Sequence, residues 1–279
     1  MSFRATATLA TVALLVLGLG AASGRAGGAT AIANCGQTVT TNAVVIQDLT
    51  CSGPGIVVGA SGITIDLKGF MLLGDRDPTD YGIDDSGGYD QVTVKNGTVR
   101  NFGVGVIGLN GSGGLKVTGV VAAGNSIGGI AALGDSASIA SSTVAGNASY
   151  GVNIFGDGAS VASTTSVGNT ADGIIVAGDG TSIKSSNVAG NGDRGIVVAG
   201  DAASIKSTRA SGNGGVGIVL NGDGPSISGN TTDGNGFAGG VANSIGLGVN
   251  ITGFTTAPRG KNVARGNDDP AECNPSSLC

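Results

Sequence analysis

The chain has 279 residues, among them 55 Gly, with neither Trp nor His and only 3% aromatics and 12% charged residues. This Gly content excludes ordinary helices, since each interior Gly costs roughly 1 kcal/mol relative to Ala, and the scarcity of aromatics excludes a single thick core. A formal net charge of −5 excludes the basic footprint of a nucleic-acid binder, while plentiful Val and Ile argue against low-complexity disorder.

In chain order, residues 1–33 read as a secretory signal peptide. Arg4 supplies a basic start, residues 5–22 an apolar run, and Ala29-Thr30-Ala31 and Ala31-Ile32-Ala33 two small-residue cleavage patterns. A membrane anchor is the rival reading, but charged or small residues interrupt the run early. No second hydrophobic span follows, so no transmembrane anchor is expected after cleavage, and the product is expected in the periplasm, at the cell surface or released. Cys35, Cys51, Cys273 and Cys279 make an even set in an exported chain, which argues for disulfides. Three pairings are possible. The local one, Cys35–Cys51 with Cys273–Cys279, pins each terminus, whereas a metal site lacks His and suitable spacing.

The next segments are Ile63-Thr64-Ile65-Asp66 and Val92-Thr93-Val94-Lys95, two equivalent strands 29 residues apart. Against the spacing that follows, this is an excess of seven, read as an insertion over residues 75–89. From there the chain repeats every 22 residues. Gly-Asn pairs run from Gly124-Asn125 through Asn147, Asn169, Asn191 and Asn213 to Asn235, and Gly-Asp pairs from Gly134-Asp135 to Gly222-Asp223. A Gly followed by Ile or Val runs from Gly129-Ile130 to Gly217-Ile218, and an apolar series runs Val117, Ile139, Val161, Ile183, Ile205, Ile227.

A unit of 22 residues is too short for a helix pair and has no 3.6-residue apolar period. Its short alternations, such as Ile196-Val197-Val198-Ala199, are those of strands. The expectation is all-β: a single-stranded right-handed parallel β-helix of about ten coils over residues 34–265, closed by a tail over 266–279. Stacking puts equivalent residues about 4.8 Å apart. Asn125 to Asn235 then form a structural amide ladder inside a bend. The Asp series reads as solvated turn residues bonding their own backbone, with cation binding as the alternative.

Cys35-Gly36-Gln37-Thr38-Val39-Thr40, Asp48-Leu49-Thr50-Cys51, Gly62 to Gly69, Val92 to Arg100 and the closing Cys273 and Cys279 resemble secreted bacterial β-helix repeat proteins. Their wider group is the pectin-lyase-like superfamily, with pectate lyases, polygalacturonases, alginate epimerases and a copper-associated periplasmic family. The resemblance implies export and polysaccharide work and leaves the activity open. Tyr81-Gly82-Ile83-Asp84 is similar to a Tyr-Gly-x-Asp motif of the epimerases, but Asp85-Ser86 stands where a Pro-His is expected, and Gly82-Ile83 is also the Gly-Ile of an ordinary coil. Copper binding is disfavoured without His.

Asp75, Asp77, Asp80, Asp84, Asp85 and Asp90 make the densest acidic stretch. Asp80, Asp84 and Asp85 are the catalytic candidates for an acid–base reaction, and Asp75, Asp77 and Asp80 the candidates for calcium, the one cofactor considered. The competing reading is a solvated loop. Lys184, Arg194, Lys206 and Arg209 are the candidate anion-binding patch, with scattered solubilising charge as the alternative. Tyr81, Tyr89, Tyr150, Phe155 and Phe237 are the possible sugar-stacking aromatics and form no ladder. A non-catalytic scaffold binding a polysaccharide or a cell-envelope component is the leading functional expectation. The alternatives are a polysaccharide lyase or epimerase and a structural rod.

Overall fold

The computed structural model describes residues 28–236, 247–250, 262–266 and 273–274. Each coil contributes strands to three faces around a triangular core. The first face stacks eleven strands, from Gln37–Val39 to Cys273–Asn274, every neighbour parallel. The second and third faces form two parallel ladders fused into one sheet. Thr93–Arg100 and Lys116–Ala123 run through both ladders, whereas later coils divide that strand in two, as in Ser138–Ala140 and Thr143–Ala145.

The corner that divides them has a physical cause. Ser141, Ser163, Ser185 and Ser207 hold φ between 48° and 51°, a left-handed turn that ends one strand and starts the next. Ser185 therefore points out, and Ser186 takes the buried place, contrary to a simple alternation from Ile183.

Register is maintained by burial. Val94, Val117, Ile139, Val161, Ile183 and Ile205 stack in line on the second face, all fully buried. On the first face Val106, Ile130, Val152, Ile174, Ile196 and Ile218 do the same. A one-residue slip would turn either column outward.

Where the third face meets the first, the Asn residues lie inside the bend. Asn147 donates its Nδ2–H to Asn169 Oδ1 at 2.8 Å and to Ala122 O at 3.3 Å, while its Oδ1 accepts from Asn125 N at 3.0 Å and Nδ2 at 2.9 Å. The pattern repeats to Asn235. Beside it the Gly-Ile glycines have no room for a side chain. A Cβ on Gly173 would stand 2.4 Å from Val188 Cγ1 and 2.7 Å from both Asn191 Nδ2 and Gly195 O. A second ladder escaped the sequence reading. Ser142, Thr164, Ser186, Thr208 and Asn230 are buried at the other corner, and Thr164, Ser186 and Thr208 each donate a backbone N–H to the next member.

The exposed Asp series differs from expectation. Asp135 Oδ1 accepts the backbone N–H of Asp157, and the link repeats through Asp179 and Asp201 to Asp223 at 2.7–2.8 Å. Each carboxylate thus bonds the next coil instead of its own turn, and the amide dipole offsets the repulsion between stacked charges.

Short strands also lie near both ends of the described residues. Thr30–Ile32, inside the stretch read as leader, forms a strand paired with Ala43–Val45, and Ile32 is fully buried. Cys35 and Cys51 form a disulfide with Cα atoms 5.6 Å apart. Cys273–Asn274 is a short strand paired with Leu247 and Gly248 on the first face. Cys279, Phe237 and most of the expected leader lie outside the described residues.

Candidate functional site on the first face

The acidic stretch is not one protruding loop. Alignment of the buried columns spreads its seven extra residues over three corners: two between Ile65 and Leu72, three before Ile83 and two before Val94. Tyr81–Asp85 between them is an ordinary first-face strand, pairing Ile83 with Ile56 and Val106.

This placement separates the candidate carboxylates. Asp75 Oδ1 accepts from Asp77 N, and Asp77 Oδ1 from Thr79 N and Oγ1, so both close local turns. Those bonds, with the Thr79 hydroxyl foremost, hold Asp77 below the usual carboxylate range. Burial, and then the charges of Asp77 and Asp75, raise Asp80. Asp84 stands half-buried on the outer surface, its Oδ1 accepting Ser86 N–H. Asp85 turns inward and is fully buried, which removes it from contact with any polymer. Burial pushes it up to about 6, the Tyr89 amide opposes that rise, and Asp84 and Asp90 add to it. Asp85 Oδ2 and Ser112 Oγ are both buried without hydrogen-bond partners. Among the described residues, no three Asp, Glu, His or Cys side chains gather as a metal site.

The basic candidates also divide. Lys184 and Lys206 are register neighbours on the second face, both exposed. Arg209, on the third face, pairs with Asp233 at 3.1 Å. Arg194 lies at the first-face edge, where its Nε and Nη2 donate to Asp172 Oδ1 and Oδ2, each at 2.9 Å. That fork raises Arg194, with burial opposing it. The sequence reading missed Asp172. Its signal was the period itself, because 128, 150, 172 and 194 are one coil position occupied by Gly, Tyr, Asp and Arg.

Three of the scattered aromatics meet on this face. Tyr81 and Tyr150 lie along one edge, with the Tyr150 ring directly over Gly128: a Cβ there would be 2.2 Å from Tyr150 Cε2. Burial, and then the neighbouring Tyr81 phenol, raise the Tyr150 hydroxyl. Phe155, 50% exposed, stands at the opposite edge beside Leu133. Between the edges runs a floor of outward residues in register: Val57, Asp84, Ile107, Ala131, Asn153, Ile175, Val197 and Val219. Val104, Ile107 and Ala131 form a second apolar cluster outside the core, flanked by Tyr81, Leu109, Ile127 and Tyr150. Tyr89, in contrast, packs against the core.

A helical stack of parallel strands with a mostly apolar interior, closed at its start by a disulfide, places the chain among right-handed parallel β-helices. Solved structures bear the same architecture. The periplasmic alginate epimerase AlgG superposes with a TM-score of 0.51 at 14% identity, over 82% of this chain and 62% of that one. The A-module of the mannuronan C-5 epimerase AlgE6 from Azotobacter vinelandii gives 0.52 at 16% identity, over 87% of this chain and 90% of that one. The chain therefore spans less than two thirds of the length of AlgG, and at these identities the likeness establishes the fold. No family model and no curated protein matches the sequence. Among the described residues no helix is long and apolar enough to cross a membrane.

Proposed function

We propose that this is an exported β-helix that binds a polysaccharide along its first face. The observation that carries the reading is the placement of Tyr81 and, three coils on, of Tyr150 and Phe155 along the two edges of one floor. Aromatic faces next to polar groups suit the C–H faces and hydroxyls of a sugar ring. The Cys35–Cys51 disulfide fits an oxidising compartment, and the two epimerases sharing the fold act, by their names, on alginate and mannuronan. Binding without turnover is the leading form of the proposal, because burial withdraws Asp85, leaving Asp84 on the floor without that second carboxyl as a partner.

A modifying enzyme is the second reading, favoured by Tyr81 and Asp84 standing together on this outer strand. Incubating the protein with acidic and neutral polysaccharides, with and without calcium, decides between the two by mass spectrometry of the sugars. Retention with unchanged chains supports the binder. Cleaved or epimerised chains, lost in Asp84→Asn, establish the enzyme.

A further inference from the structure

The charges of this solenoid are sorted by face. Arg194 is the one Lys or Arg of the described residues on the outer surface of the first face, and Asp172 holds both arms of its guanidinium. The other described cations stand elsewhere: Lys95, Lys116, Lys184 and Lys206 on the second face, Arg209 and Arg265 on the third, the rest at corners or strand ends. The charge left on the first-face floor is the Asp84 carboxylate, with Asp80 at the corner that precedes its strand.

From this we infer that the polymer taken by the first face is a neutral polysaccharide and not a polyuronate, an inference that rests on the glycan-binding reading above. A polyuronate carries a carboxylate on every residue. Laid along this floor it would meet Asp84 and, among the described residues, no unpaired guanidinium or ammonium to compensate, so each desolvated carboxylate would remain unpaired. A neutral chain makes no such demand. Its C–H faces can lie on the half-buried outward side chains of Ile175 and Val219 and against the exposed Leu133 and Phe155. Its hydroxyls can donate to the Asp84 carboxylate, or meet the amide of Asn153 at the centre of the floor. Phe155, half in solvent, provides a stacking edge that charge does not govern.

Affinity electrophoresis of the purified protein tests this, in native gels containing galactomannan, hydroxyethylcellulose, polygalacturonate or alginate, at low salt and with a chelator present. The expected result is retardation by a neutral polymer at least about tenfold stronger than by either polyuronate, and about fivefold weaker in Phe155→Ala, whose exposed site tolerates truncation. Ile175→Lys, with the fold checked by circular dichroism, should gain retardation by the polyuronates. Stronger retardation of the native protein by a polyuronate overturns the neutral-polymer inference while leaving glycan binding intact. Retardation by none of the four overturns glycan binding itself. A dimer in sedimentation that Phe155→Ala dissociates, without retardation in any gel, assigns the face to a second copy and overturns both.

Discussion

The early coils, up to about residue 115, and the later ones, to residue 236, solve the same packing problem differently. The later coils repeat without interruption, and two of the three corners are filled by ladders of identical or interchangeable polar side chains, Asn at one and Ser or Thr at the other. The early coils vary in length and fill their corners with bulk. Phe102 occupies the place where the Asn ladder would continue, and its N–H donates to Asn125 Oδ1 at 3.0 Å, so the aromatic ring caps the ladder. Regularity permits cooperative hydrogen bonding along the interior of every coil. Irregularity gives up that cooperativity and places unlike groups side by side. The outer cluster of Tyr81, Val104, Ile107 and Ile127 therefore arises where the early coils meet the first regular ones.

Buried charge follows the same division. In an early coil, Asp66 is nearly buried between Lys68 and Lys95, at 3.4 and 3.5 Å. Burial raises it, but the Lys68 amide, Asn96 and the Lys68 ammonium outweigh that and hold it below the usual range. Asp85, in the next coil, has no cation and is raised. The first is stabilised as a carboxylate, the second as the acid.

The comparison can be broken most severely in the regular half. Asn169→Ala removes the acceptor of the buried Asn147 backbone N–H and of one of its Nδ2–H groups and takes one donor from Asn191 Oδ1, which keeps the backbone N–H of residue 169, and should cost about 4 kcal/mol by urea unfolding. A cost within about 1 kcal/mol would mean that the ladder is incidental. Gly173→Ala forces a methyl against Val188 and the Asn191 amide, for about 3 kcal/mol, whereas Gly168→Ala, where a Cβ meets nothing within 4 Å, should cost less, chiefly its φ of 63°.

In the early half, replacing Cys35 and Cys51 by Ser should cost about 3 kcal/mol, as expected for closing a loop of this length, and lower the melting temperature. The smallest expected effect is on pH. The folded-state value of Asp85 lies above its unfolded one, so the fold binds a proton that the unfolded chain has released. Stability should therefore fall as pH rises from about 4 to about 6, by about 2 kcal/mol at most, and Asp85→Asn should flatten that slope. Asp66 acts in the opposite sense: its contribution is present above the unfolded value near 4 and is lost as pH falls through the lowered one. A melting curve that keeps its slope between pH 4 and 6 in Asp85→Asn would show that another group governs it.

Much of this was legible beforehand. The 22-residue spacing of Asn, of Gly-Ile and of the Ile/Val column dictated stacked parallel coils, because in-register stacking is the arrangement that buries each series on itself. Series of identical residues were easy to follow. Series of unlike ones were not, so the Ser/Thr/Asn corner ladder and the Gly128, Tyr150, Asp172, Arg194 position went unread, although both keep the same period.

Which side chains turn in or out in the irregular coils was decided by tertiary structure alone. Asp84 and Asp85 are adjacent and chemically identical. Pairing of Ile83 with Ile56 and Val106 sends Asp84 to the surface and Asp85 inside, where no cation awaits it. Local sequence cannot express that difference, because strand alternation is set by which neighbour buries its apolar column. For the same reason composition determined that the rod is acidic, while stacking determined that, of the described cations, Arg194 alone lies on the first face, held there by Asp172. A total charge has no direction until the chain is wound.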